Sequence, residues 1–170
     1  MYNVKGSKEM LSINKLKEVP FMSMDKKFII KNFEETYEVS AAVQKPFGEA
    51  VLEVMRIKGL SGPNDFAECT GLNTNIYYTM QKPDCNIELD LVISICVGLK
   101  LDTVSTQLLL QSAGLGFNLN NRIHRAYLYI VEYFKDQTIE ECNETLEILG
   151  VPASKRLGSY ERGPYKKEQE

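Results

Sequence analysis

The ten residues "NTNIYYTMQK" at 73–82 gather hydrogen-bonding side chains that carry almost no charge: Asn73, Thr74, Asn75, Tyr78 and Thr79, with Lys82 the only cation among them. An Asn amide presents a donor and an acceptor side by side, and a hydroxyl presents either. Such a set suits recognition more than bond cleavage. The reactive residue types elsewhere are scattered. Cys69, Cys85, Cys96 and Cys142 stand 16, 11 and 46 positions apart and His124 is the only histidine, so no close metal-ligand spacing exists, and neither a metal nor a cofactor is expected. Cys96 falls in an apolar helical pattern and reads as a core residue, while Cys85 lies in a polar turn where it would be exposed. Glu140, Glu141, Glu144 and Glu147 read as the wet face of one helix. His124, between Arg122 and Arg125, reads as part of a solvated helix end. No nucleophile elbow, phosphate-cradling Gly-rich loop or HExxH is present, and an enzyme is not expected.

The elements that would position residues 73–82 are legible from spacing and caps. Helix one is expected over "FGEAVLEVMRIKG" (47–59), where Phe47, Val51, Leu52, Val54, Met55 and Ile57 recur at helical spacing and Gly59 terminates. Helix two lies in "SGPNDFAECTG" (61–71), capped by Ser61 or Gly62, with Pro63 in its first turn and Gly71 at its end. Asn73 caps helix three, expected over 74–82 and stopped by Pro83. Asn86 would cap helix four over "IELDLVISICVGLKL", the expected centre of the core, and Asp102 caps helix five, ended by Gly114. A helical hairpin follows at 115–150. Its first helix lines up Ile123, Tyr127, Ile130, Val131 and Phe134, and its second opens with a Thr138/Glu141 capping box. The aromatic set Tyr127, Tyr129, Tyr133 and Phe134 reads as core or dimer seam.

Composition sets the frame. A chain of 170 residues, 44% hydrophobic and 25% charged, can bury one ordinary core. The longest apolar runs, such as "LVISICVGL" at 91–99, are too short to cross a bilayer, and the N-terminal residues lack the apolar block of a secretion signal, so a cytoplasmic location is expected. The net charge of −3 is segregated. Residues 1–31 hold seven Lys against three acidic residues, 47–114 hold four basic against eight acidic, and 151–170 hold five basic against three acidic. The reading is a basic, partly ordered tether at 1–46, a helical module at 47–114, the hairpin at 115–150 and a disordered tail at 151–170. Residues 25–39, "DKKFIIKNFEETYEV", fit a helix or a pair of short strands, and Phe28, Ile29, Phe33 and Tyr37 would pack that segment on the domain.

Three segments in order, "RIKGLS" (56–61), "FAECTGLNTNIYYTMQK" (66–82) and "NIELDLVISICVGLKL" (86–101), resemble the Cro-like phage-repressor family of helix-turn-helix proteins, also called the xenobiotic-response-element family. The resemblance spans 47–101 and implies an all-α fold: a five-helix repressor-like domain, followed here by the helical hairpin and flanked by flexible ends. It places small Ala67 where two helices cross and Gly71 in the turn, with Leu72, Tyr77 and Met80 as inward anchors. Helix three then becomes a recognition helix. Thr74, Asn75, Tyr78 and Thr79 would contact bases, Asn75 pairing bidentately with adenine, while Asn73, Lys82 and Asn64 would contact phosphate.

The implied function is that of a sequence-specific transcriptional regulator occupying an operator in double-stranded DNA, as a homodimer with the hairpin as its seam. Two departures predict weak binding by the isolated module. Gly62 and Pro63 stand where the family commonly has Gln, and no Arg or Lys lies near Thr79; the basic ends would supply the missing phosphate attraction. The alternative is an adaptor or inhibitor on the same scaffold, binding a protein such as a toxin, nuclease or phage factor through the Tyr-bearing helix three.

Overall fold

The computed structural model describes residues 25–158. They form eight α-helices, and no strand occurs among the described residues. The order is α1 Lys26–Ala42, α2 Phe47–Ile57, α3 Gly62–Thr70, α4 Thr74–Thr79, α5 Leu89–Gly98, α6 Thr103–Ser112, α7 Arg122–Tyr133 and α8 Ile139–Ile148, then a 3-10 turn at Ala153–Lys155. The chain is all-α, and no helix among the described residues is long and apolar enough to cross a membrane.

Helix α5 is the axis of the fold. Every side chain from Asp90 to Val97 is buried, and a helix apolar all round is stable only when it is wrapped on all sides. Helices α3, α6, α7 and α8 pack against it, while α2 joins through α6 and α1 covers α2 and α6. One continuous set of buried side chains runs from Val39 and Val43 through Phe66 and Ile95 to Ile130, Leu146 and Leu157, so the module and the hairpin share a core. The cap reading holds at most helix starts. Asn73, Asp102 and Thr138 accept the hydrogen bonds of the first turns of α4, α6 and α8, and the Thr138/Glu141 box is complete.

Several expectations need correction. Asn86 does not cap α5, which starts at Leu89 behind Glu88; Ile87 enters the core from extended chain, which delays the helix. The close crossing of α3 and α5 is made at Gly98. A Cβ at Gly98 would stand 2.5 Å from the Cys69 carbonyl oxygen and 2.8 Å from Thr70 Cα. Cys85 is half-buried and packs on the core edge. The tail does not begin at 151: Val151 and Leu157 are buried. The Asn143 side chain accepts from Leu157 N–H (2.7 Å) and donates to the Leu157 carbonyl (2.9 Å). Residues 159–170 lie outside the described residues, as does the leader 1–24.

The segment 25–39 is helical, but not packed as expected. Only the last turn of α1 reaches the core, by Val39, Ala42 and the following Val43. Phe28, Ile29, Phe33 and Tyr37 are exposed. The helix turns its Glu35, Val39 and Ala42 side inward, where Glu35 pairs with Lys58 at 3.0 Å; Ile29, Phe33 and Tyr37 point away from it, while Phe28 shares that side two turns before Glu35 and is exposed. His124, half-buried in the first turn of α7 between exposed Arg122 and Arg125, accepts from Asn118 N–H at its Nδ1 (3.0 Å) and ties the preceding loop to the helix.

Two measurements follow from this packing. Gly98→Ala should cost about 1–3 kcal/mol in urea unfolding, because backbone rather than a flexible side chain must move aside; Gly116→Ala, where a Cβ meets nothing within 4 Å, is the neutral control. The second concerns Asp102. Burial raises its carboxyl, but hydrogen bonds from the Ser105 N–H (2.9 Å) and hydroxyl (2.8 Å) outweigh that and hold it below its ordinary value. A depressed folded value gives stability that is present above the unfolded pKa of about 3.9 and lost as pH falls through the folded one. Asp102→Ala should therefore cost about 1 kcal/mol at neutral pH, and the gap to the parent should close in acid denaturation below pH about 4.

Candidate functional site

The edge built from α3, the turn 71–73 and α4 is set by three local devices. Thr70, fully buried, donates its hydroxyl to the Phe66 carbonyl at 2.6 Å and accepts from Leu72 N–H at 3.2 Å, which stitches the end of α3 to the turn. Gly71 takes φ +67°, a left-handed geometry that costs little only without a side chain. Asn73 then accepts from Asn75 N–H (3.0 Å) and Ile76 N–H (3.3 Å). An N-cap of this kind counts for more here than usual, since α4 has six residues and few internal hydrogen bonds of its own.

Packing fixes which way α4 faces. Leu72 and Met80 are buried at its two ends. Between them Tyr77 is half-buried, its ring 5.6 Å from that of fully buried Phe66. At the far end, Gly48 of α2 lies against the Met80 carbonyl. The turn is braced from behind by the C-terminal segment: Gly158, at φ +76°, is close enough that a Cβ on it would stand 3.2 Å from the Gly71 carbonyl oxygen, and a Cβ on Gly71 would meet Ile139 at 3.4 Å. Gly158 N–H is itself held by the Ser94 hydroxyl of α5 at 2.8 Å.

Asn73, Asn75, Tyr78, Thr79, Lys82 and Asn64 are all exposed, Tyr78 at 58%. Thr74 is half-buried and less available than its neighbours. Helix α4 stops at Thr79 rather than reaching residue 82; Met80 is its C-cap and the Gln81 side chain donates back to the Tyr77 carbonyl at 2.7 Å. Lys82 thus sits in a turn past the helix, on a cleft that Glu49 also lines. Asn64 is in the first turn of α3, away from the α4 helix in sequence but on the same two-helix unit. What sequence reading did not bring out is the brace from Gly158 and Ile139, because "GVPASKRLG" carries no periodic signal.

The electrostatics of the edge are plain. From 62 to 82, Lys82 is the sole cation against Asp65 and Glu68, and Asp65 is engaged by Ser61 N–H at 2.7 Å. The nearest Arg in sequence, Arg56, is bound by Glu53 at 2.7 Å. The thiols add no reactivity. Burial raises Cys69 and Cys142 to about 11 and Cys96 to about 12, so these three stay protonated at neutral pH. Among the described residues no group of three or more His, Cys, Asp or Glu could hold a metal ion. The chain matches no family model, no curated protein and no solved structure.

If the cap and brace hold α4 in place, Asn73→Ala should cost about 1 kcal/mol and speed amide hydrogen exchange at Asn75 and Ile76 more than in α5. Equal exchange in the two proteins would show that α4 does not depend on its cap.

Proposed function

We propose that the protein is a DNA-binding transcriptional regulator of the repressor type, with α4 lying in the major groove. One observation carries the reading: a short helix, capped by Asn73 and anchored by Leu72 and Met80, holds Asn75, Tyr78 and Thr79 outward on a supported edge. Side chains fixed by packing behind them can read base edges at little entropic cost, and an Asn amide matches adenine bidentately. Thr79 and Tyr78 add hydroxyls, and Thr74 contributes at the margin of the contact. Lys82, Asn64 and Asn73 belong to phosphate positioning. A neutral edge on an acidic module gains little from counterion release, so affinity depends on cations brought from elsewhere in the chain and on two modules acting together. The leader 1–24 has four Lys against two Glu and is the obvious source.

A second reading is favoured by the same electrostatics. With Asp65 and Glu68 on α3 and a half-exposed pair of Tyr rings 5.4 Å apart on α4, the edge also suits a protein partner, and the molecule would then be an adaptor or inhibitor. Selection from a pool of random duplexes at low and moderate salt separates the two. Enrichment of a common sequence supports the regulator. No selected duplex at either salt, together with a stable protein complex lost on Tyr78→Ala, supports the adaptor.

For the regulator, Asn75→Ala should cost about 1–3 kcal/mol and relax preference at one base position. Lys82→Ala should weaken all duplexes alike and reduce the salt slope by about 1. Losses from both that are equal and independent of sequence would contradict these roles.

A further inference from the structure

Three helix ends leave a cleft of about 440 Å³ beside the foot of α4. Its walls are the first turn of α2 with Pro46 before it, the chain just past α4, and the end of α6. Gly48 explains why these walls meet without filling the space between them: α2 approaches so closely that a Cβ there would collide with the Met80 carbonyl, and no side chain extends from that position. The floor is apolar. Phe47 and Met80 are buried, Cys85 is half-buried, and all three line the cleft.

The rim carries one charge of each sign, Lys82 and Glu49. Both residues are exposed, and neither forms an ion pair with the other or with any other described residue. Two further clefts among the described residues lack this combination. Beside α1 the lining is polar and mostly matched, since Lys58 is taken by Glu35, Lys100 by the Gln137 carbonyl and Asp102 by Ser105. Between α6 and α7 the lining is apolar with Gln107 and Gln111 and carries no charge.

Charge and shape together select a chemical class. A ligand with only a carboxylate would meet Glu49, and one with only an ammonium would meet Lys82, so the rim discriminates against both. A small zwitterion satisfies the two at once, its carboxylate towards Lys82 and its ammonium towards Glu49. An apolar side chain on it would cover the floor. The volume falls within the range of ~300–1,000 Å³ usual for small-molecule sites, whose linings likewise combine apolar walls with a few polar groups that fix orientation.

We propose that this cleft binds a free α-amino acid with an apolar side chain, held between Lys82 and Glu49. The inference does not rest on the DNA-binding reading, since it concerns the free protein and is tested without nucleic acid.

The test is calorimetric titration of the full chain with L-leucine, L-isoleucine, L-methionine and L-phenylalanine. Binding by at least one of them is expected. Glycine, which lacks the side chain, should bind about tenfold more weakly or worse, and so should the amine and the deaminated acid that correspond to the amino acid bound. Lys82→Gln and Glu49→Gln should each weaken binding to a similar degree with circular dichroism unchanged, both positions being exposed. Cys85 reports the place: its alkylation by a small maleimide, followed by mass spectrometry with Cys69 as internal reference, should slow at saturating ligand. No binding by any of these amino acids at up to about 10 mM overturns the site. So does binding that tolerates both substitutions, that the glycine, amine or acid matches, or that leaves Cys85 alkylation unchanged.

Discussion

The wrapping of α5 is the constraint on which the remainder depends. A ten-residue helix with Leu91, Val92, Ile93, Ile95, Cys96 and Val97 pointing in all directions cannot sit on a surface, and four helices must approach it from different sides. The approach of α3 is the tightest, because Gly98 brings the α5 backbone against Cys69 and Thr70. That contact sets the place of α3, the Thr70 hydroxyl sets the turn, and the turn sets α4. The outward edge is therefore positioned by a chain of short-range contacts that begins in the core. No step in it relies on a long side chain or an exposed ion pair, both of which would leave the edge loose.

Charge decides what such an edge can do. The ion pairs of the described residues are used to hold elements together: Lys58 with Glu35, Arg56 and Lys45 with Glu53, Lys155 with Glu88, Arg156 with Glu147. Little cationic surface is left beside α4. Hydrogen bonds and ring contact are the interactions such an edge offers, with directionality but without long-range attraction.

Local signals were read well because their physics is local. The caps Asn73, Asp102 and Thr138, the glycine stops at 59, 71 and 114, and the all-α class follow from hydrogen-bonding needs that neighbouring residues satisfy. The outward placement of Asn75, Tyr78 and Thr79 came from spacing relative to Met80. Where reading failed, the deciding partner was remote in sequence. Gly98 makes the α3–α5 crossing because of where α5 lies. The "GVPASKRLG" segment packs because Asn143 and Ser94 await it. Apolar residues on α1 were assigned to the core since apolarity alone does not tell a buried stripe from one offered outward. Caps and glycines foresaw α3 and α4 but not the early end of α4 at Thr79.

The seating of Gly158 against Gly71 makes the α3–α4 turn the mooring point of the C-terminal residues. A change at Ser94 or Ile139, both remote in sequence, is thereby felt at the α3–α4 turn, since both hold the residue seated against Gly71.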